Sequence, residues 1–185
     1  MKYQKLKIED LLLIEPDVYG DNRGWFSETY SYDRYKDIGI KEVFIQDNQS
    51  YSAYKNVFRG IHYQKEPYAQ TKLVRCIRGK ILDIAVDLRK GSPTYLHHVA
   101  IELSAENKRQ LYIPKGFGHA FITLTDDCEV FYKVDAKYNK DADRSIQAND
   151  PQINLNIDVK NLIRSEKDIN APFLADSDCD FTYKY

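Results

Sequence analysis

Apolar and polar positions alternate with a period of two through the middle of the chain, and that period predicts strands. Residues 72–78, KLVRCIR, alternate and lead into a turn at Arg78-Gly79-Lys80. Residues 81–88, ILDIAVDL, set Leu82, Ile84, Val86 and Leu88 on one face and Ile81, Asp83, Ala85 and Asp87 on the other. Further strands are predicted over 95–103, 109–113, 119–124 and 128–134. KGSPT, SAENK, PKGFG and TDD supply the loops between them. Helical pattern is confined to 31–39 and 165–170. Short strands with turns every ~8–12 residues predict a sandwich or barrel. The expected fold is mainly β: a double-stranded β-helix, the jelly-roll (cupin) barrel, with a few short helices. Its interior is wide enough to hold a ligand.

Composition narrows this further. The 185 residues predict one domain over 1–185, and 43% hydrophobic residues predict a folded core. Net charge is −1, so no basic excess points to nucleic acid. The three cysteines, Cys76, Cys128 and Cys179, are widely spaced and form no CxxC pair. That pattern fits reduced thiols in the cytoplasm better than a disulfide framework or a zinc knuckle. The apolar run near the start covers only Leu11 to Ile14, too short for a signal peptide, and no stretch approaches membrane-spanning length. A cytoplasmic protein with no membrane contact is expected.

Polar residues inside the predicted strands are the candidates for chemistry. RGIHYQ, residues 59–64, places Arg59, Gly60, His62 and Gln64 in one strand-like run. Metal-binding cupins present two histidines as H-x-H, then a glutamate, then a histidine in a later strand. Here the first motif is His62-Tyr63-Gln64, so one histidine is missing. His62, His119 and a carboxylate from Glu66 make a poor set for a transition metal, and no metal is expected. Alternation puts Cys128, Val130, Tyr132 and Val134 on one face, so an inward Val130 brings the Tyr132 hydroxyl inward with it. His119 shares a face with Phe121 and Thr123. Several polar groups inside a barrel suggest a site, because unpaired burial is costly. The same alternation separates Arg59 from His62 unless Gly60 bends the strand.

GDNRGWFSETY, FIQDNQSYSAYKNVFRGIHYQ, KLVRCIRGKILDIAVDLRKGSPTY, ELSAENKRQLYIPKGFGHAFITL, FYKV and SEKDINAPFLAD occur in that order. Together they resemble the dTDP-4-dehydrorhamnose 3,5-epimerases over nearly the whole chain. That family comprises dimeric, metal-independent cupins that act on dTDP-4-dehydro-6-deoxyglucose and need no cofactor. The resemblance implies a homodimer and a set of roles. His62 is the base that removes protons α to the substrate ketone, since histidine ordinarily titrates near working pH. Asp168 orients it, Lys72 stabilises the enolate, and Tyr132 is the acid on the opposite face, its ionisation eased by Lys72. Without the resemblance, Asp168 would be a solvated helix end and Lys72 a strand-edge lysine.

Substrate contacts are implied for Arg23, Phe26 and Glu28, part of whose segment reaches a neighbouring subunit's site. They are implied also for Gln46, Asp47, Asn48, Arg59 and His119, and for Tyr138, Asp143 and Lys167. Arg59 suits a diphosphate through its planar fork. The chain departs from the family at Asp143, where glutamate is common, at Ala148, where tryptophan is common, and at Tyr112. Two other readings stand beside this one: an epimerase that inverts carbon 3 alone, and a non-catalytic cupin that binds a nucleotide sugar.

Overall fold

The computed structural model describes residues 1–183 and is built on two antiparallel sheets. The first contains β1 (Lys2–Lys5), β2 (Leu12–Glu15), β10 (Gln110–Ile113), β7 (Lys72–Arg78), β12 (Cys128–Val134) and β5 (Gln46–Ser52), in the spatial order β1-β2-β10-β7-β12-β5. The second runs β13-β6-β11-β8-β9, from β13 (Asp143–Ser145), β6 (Phe58–Gln64), β11 (Phe117–Thr123), β8 (Lys80–Asp87) and β9 (His98–Ser104). A small hairpin, β3 (Tyr19–Asp21) with β4 (Gly24–Phe26), projects separately. The helices are short: α1 (Tyr32–Asp37) and α2 (Glu166–Ile169).

Three buried clusters explain the layering. Val74, Cys76, Leu111, Val130 and Cys128 of the first sheet meet Ile81, Ala85, Val99, Phe117 and Phe121 of the second. This is the space between the sheets. Ile84, Val86 and Leu88 face the other way, with Phe58, Ile61 and Tyr63, and are covered by Ile146, Leu155, Leu174 and Phe181. Leu12, Ile14, Leu73 and Tyr112 pack outward against Tyr35 of α1 and Ile40. Both faces of each sheet are therefore buried over much of their area. In β8 the wholly apolar face turns outward, and the face carrying Asp83 and Asp87 turns into the barrel.

Two predicted strand starts shift by two residues or more. The strand expected over 95–103 begins at His98, because Tyr95 N–H bonds to the Ser92 carbonyl and Leu96 has φ of 64°. The strand expected from residue 119 begins at Phe117, just after Gly116 turns the chain with φ of 91°.

Candidate active site

β6 supplies the first part of the site through a bulge. His62 pairs with His119 and Arg59 with Phe121, so two residues on β6, Gly60 and Ile61, lie opposite Ala120 alone. Such a bulge inserts one extra residue and resets the alternation. Arg59 and His62 consequently share the inner face. Gly60 allows this with φ of 143°; a Cβ there would meet both Ala120 and the His119 carbonyl oxygen.

His62 Nε2 lies 2.6 Å from Asp168 Oδ1. Asp168 sits in α2, whose N-cap Ser165 accepts the Asp168 amide at 3.2 Å, and α2 rests against β6. The Asp168 side chain is 3% exposed. Burial pushes its pKa up, but the His62 hydrogen bond and charge, with help from Ser165 and the Gly60 amide, hold it below the ordinary value. The Nε2–H donating to the carboxylate leaves Nδ1 with its lone pair free.

His119 stands next to His62 across β6 and β11, and its Nε2 lies 2.8 Å from Asp83 Oδ1. Asp83 is wholly buried, and its Oδ2 has no hydrogen-bond partner among the described residues. Burial pushes the His119 pKa down against Asp83, which pulls it up. Lys72, at the start of β7, projects into the same space. Burial pushes its pKa down to about 8, opposed by the charges of Asp83 and Asp143 and reinforced by Lys167. Asp83 is the residue that sequence reasoning missed. The available signal was a carboxylate within the alternating strand 81–88, and a buried carboxylate demands a partner.

Tyr132 projects from β12 beside Val130, opposite Asn48 of β5. His62 belongs to one sheet, and Tyr132 and Lys72 to the other, all on inner faces. Burial pushes the Tyr132 phenol up, Arg59 pulls it down and Asp143 adds to the rise. Arg59, not Lys72, is thus the cation that favours its ionisation.

The remaining candidates divide by place. Gln46 and Asn48 lie on the inner row of β5 and bond to each other at 2.8 Å. Asp47 points to the other face and accepts Lys133 Nζ at 2.9 Å, away from the interior. Arg59 reaches β5, where Nη2 donates to the Tyr51 carbonyl at 2.9 Å and Nε to Ser52 Oγ at 3.3 Å. Asp143 accepts Lys167 Nζ at 2.5 Å and Tyr138 Oη at 3.2 Å, forming a polar cluster beside Gln64. Arg23, Phe26 and Glu28 stand outside this chain's interior. Arg23 pairs with Asp21, Phe26 is 69% exposed, and Glu28 accepts Arg34 at 3.0 Å. Their hairpin sits by Lys108, whose Nζ is 4.7 Å from the Trp25 ring centroid, at the end of the sheet away from Lys72. Gln64, in the place of the missing histidine, braces a loop: its amide donates to the Tyr68 and Lys137 carbonyls and accepts from Asn139 N–H. Glu66 is exposed in the turn beyond.

A jelly-roll barrel with a histidine–aspartate dyad on one wall, and a half-buried lysine and a tyrosine on the other, has the layout of an acid–base enzyme of cupin type. The dTDP-4-dehydrorhamnose 3,5-epimerase family model matches residues 5–176. An epimerase of that name from Shigella flexneri is 48% identical over 179 residues, covering 96% of this chain and 98% of the relative. Two solved structures align over most of both chains. The Legionella pneumophila dTDP-6-deoxy-D-glucose-3,5-epimerase in complex with dTDP-4-keto-L-rhamnose has a TM-score of 0.94 and 39% identity, covering 100% and 99%. The Bacillus anthracis dTDP-4-dehydrorhamnose 3,5-epimerase with TDP and PPi bound has a TM-score of 0.90 and 43% identity, covering 94% and 99%. The chain belongs to the dTDP-4-dehydrorhamnose 3,5-epimerase family.

Proposed function

We propose that the protein epimerises dTDP-4-dehydro-6-deoxy-D-glucose at carbons 3 and 5, giving dTDP-4-dehydro-L-rhamnose. The observation that carries this reading is the His62–Asp168 dyad on the opposite wall from Lys72 and Tyr132. The substrate ketone at carbon 4 acidifies the protons on carbons 3 and 5. His62 Nδ1 removes one, and Asp168 stabilises the imidazolium that forms. The electron pair moves onto the ketone oxygen as an enolate, which protonated Lys72 stabilises in a low-dielectric interior. Tyr132 returns a proton to the same carbon from the other side of the ring; His62 then gives up its proton to solvent, Tyr132 regains one, and the cycle repeats at the second carbon. Asp83 orients His119 and supports the charge on Lys72. The ketone and these side chains supply the acidity, so the reaction calls for no cofactor.

Arg59, Gln46 and Asn48 line the approach for the nucleotide, and Tyr138, Asp143 and Lys167 form its rim. The exposed hairpin with Arg23 and Phe26, followed by Glu28, suits a homodimer in which part of it completes the partner's site. None of the described helices is long and apolar enough to cross a membrane. The three free, widely spaced cysteines suit a cytoplasmic enzyme. The test is incubation with the 4-keto sugar nucleotide in D₂O, with NMR of the product. Deuterium at carbons 3 and 5 with inversion at both is expected. Deuterium at carbon 3 alone would make it a 3-epimerase, and none at either carbon would leave a binding protein.

A further inference from the structure

Gln64 is buried on β6, two residues beyond His62 and on the same face. Its side-chain amide is engaged three times. Nε2 donates to the Tyr68 carbonyl at 2.7 Å and to the Lys137 carbonyl at 3.2 Å, and Oε1 accepts the Asn139 N–H at 2.7 Å. The Lys137 carbonyl and the Asn139 N–H belong to the two peptide groups that flank Tyr138. One buried side chain therefore grips the backbone immediately before and after this residue. The start of the same loop is held as well. Gln70 Nε2 donates to the Ala136 carbonyl at 2.8 Å, and Asp135 Oδ1 accepts the Thr71 N–H at 2.7 Å.

A buried amide must find partners, so the bonds alone say only that Gln64 is satisfied. The informative part is what they hold. The Tyr138 ring is 59% exposed, and its hydroxyl donates to Asp143 Oδ2 at 3.2 Å. An exposed ring can meet a flat ligand group, and it binds that group more tightly when it is already held still. Glutamine supplies two donors and an acceptor in one plane at this reach. Glutamate lacks the donors, and methionine keeps little more than the shape. We propose that Gln64 is a positioning residue: it fixes Tyr138 on the rim that the nucleotide crosses, without itself touching substrate. This rests on the proposed reading of the site, which puts Tyr138 on that rim.

The test is a double-variant cycle on the full chain, with dTDP affinity read by calorimetry alongside steady-state kinetics and thermal unfolding. It compares wild type, Gln64→Met, Tyr138→Ala and the two combined. Gln64→Met should weaken dTDP binding by roughly twofold to tenfold, the worth of holding one side chain in advance, and raise KM more than it lowers kcat. Tyr138→Ala should weaken binding at least as much. With Tyr138→Ala already in place, Gln64→Met should cost no further affinity, because no ring is left to place. Equal losses in both backgrounds would make Gln64 a structural residue and overturn the proposal, as would wild-type affinity in Gln64→Met. Gln64→Glu keeps the shape and the bond to Asn139 but loses both donors; it takes the place of Gln64→Met in the cycle if that variant does not fold, with the same expectations. In the unliganded wild type the Asn139 N–H should be protected from hydrogen exchange, and exchange at the rate of an open loop would overturn the proposal whatever the variants do. Wild-type dTDP affinity in Tyr138→Ala would take Tyr138 off the rim and the proposal with it. A wild-type protein that fails to bind dTDP would instead bring down the reading of the whole site.

Discussion

The imidazole of His62 is held 2.6 Å from the carboxylate of Asp168, a residue 106 positions further along the chain. The carboxylate is nearly fully buried and ionised, so it both fixes the ring and compensates its charge once a proton is taken. His62→Ala is expected to abolish deuterium exchange at both carbons. Asp168→Ala should retain substrate binding and lose rate by roughly 10²–10⁴-fold. Near wild-type exchange by His62→Ala, followed by NMR in D₂O, would remove histidine as the base.

Lys72 is expected to give the proposed reaction its alkaline limit. Burial brings its pKa down from 10.5 to about 8, while that of Tyr132 is raised. The ammonium proposed to stabilise the enolate is present below about pH 8 and lost as pH rises through it. Turnover should fall on an alkaline limb near pH 8. Lys72→Arg should move that limb upward, since guanidinium stays protonated above pH ~12. The sense for stability is opposite. Between about 8 and 10.5 the unfolded chain holds more protons at this residue, so stability relative to Lys72→Met should rise with pH there. An alkaline limb unmoved by Lys72→Arg would assign it to another group.

Gly60 is where the backbone makes the site possible. Alanine at φ of 143° is strained, and its Cβ would press on Ala120 and the His119 carbonyl oxygen. Gly60→Ala should cost about 2 kcal/mol or more and depress activity beyond what stability explains, because Arg59 and His62 share a face only through this bulge. Thermal unfolding and turnover measured together check this; wild-type values in both would show the bulge to be dispensable.

The jelly roll was legible because β7, β8, β10 and β12 alternate cleanly, each strand offering one apolar face to a core. β5 was not legible by pattern: QDNQSYS has no apolar alternation, because its inner face lines the proposed site. Its Gln46 and Asn48 entered only through family resemblance. Asp83 was hidden for a different reason. Alternation separates the two faces of β8 but does not say which turns inward. The apolar face is drawn outward by the segment that carries Ile146, Leu155, Leu174 and Phe181. Asp47 shows the converse: a motif residue whose strand position sends it to the outer face, against Lys133. The Gly60 bulge could be posed as a condition from sequence, and the register of β6 against β11 meets it.

Arg59 should act on binding more than on chemistry. Its guanidinium lies against β5, held by the Tyr51 carbonyl and Ser52 Oγ, and a lysine there keeps charge without the bidentate fork that suits a diphosphate. Arg59→Lys is expected to raise KM and weaken dTDP affinity, with a smaller loss in kcat. Unchanged KM and unchanged dTDP affinity would place Arg59 outside the site.

Tyr132, as the proposed acid, is expected to separate the two halves of each inversion. A base that took a proton and returned it from one side would restore the starting configuration, so inversion requires a donor on the opposite face. His62 comes from the five-stranded sheet and Tyr132 from the six-stranded one, with the interior between them. Burial keeps the phenol protonated, and an enolate is basic enough to take its proton. Tyr132→Phe retains the ring that packs against Val130 and removes only the hydroxyl. The variant should bind substrate and still exchange deuterium at carbons 3 or 5, since His62, Asp168 and Lys72 are intact, but the label should sit mainly in sugar of unchanged configuration. NMR of the recovered sugar nucleotide distinguishes the cases. Inversion of both carbons at the wild-type rate would mean that another group, Tyr138 or an ordered water, supplies the proton.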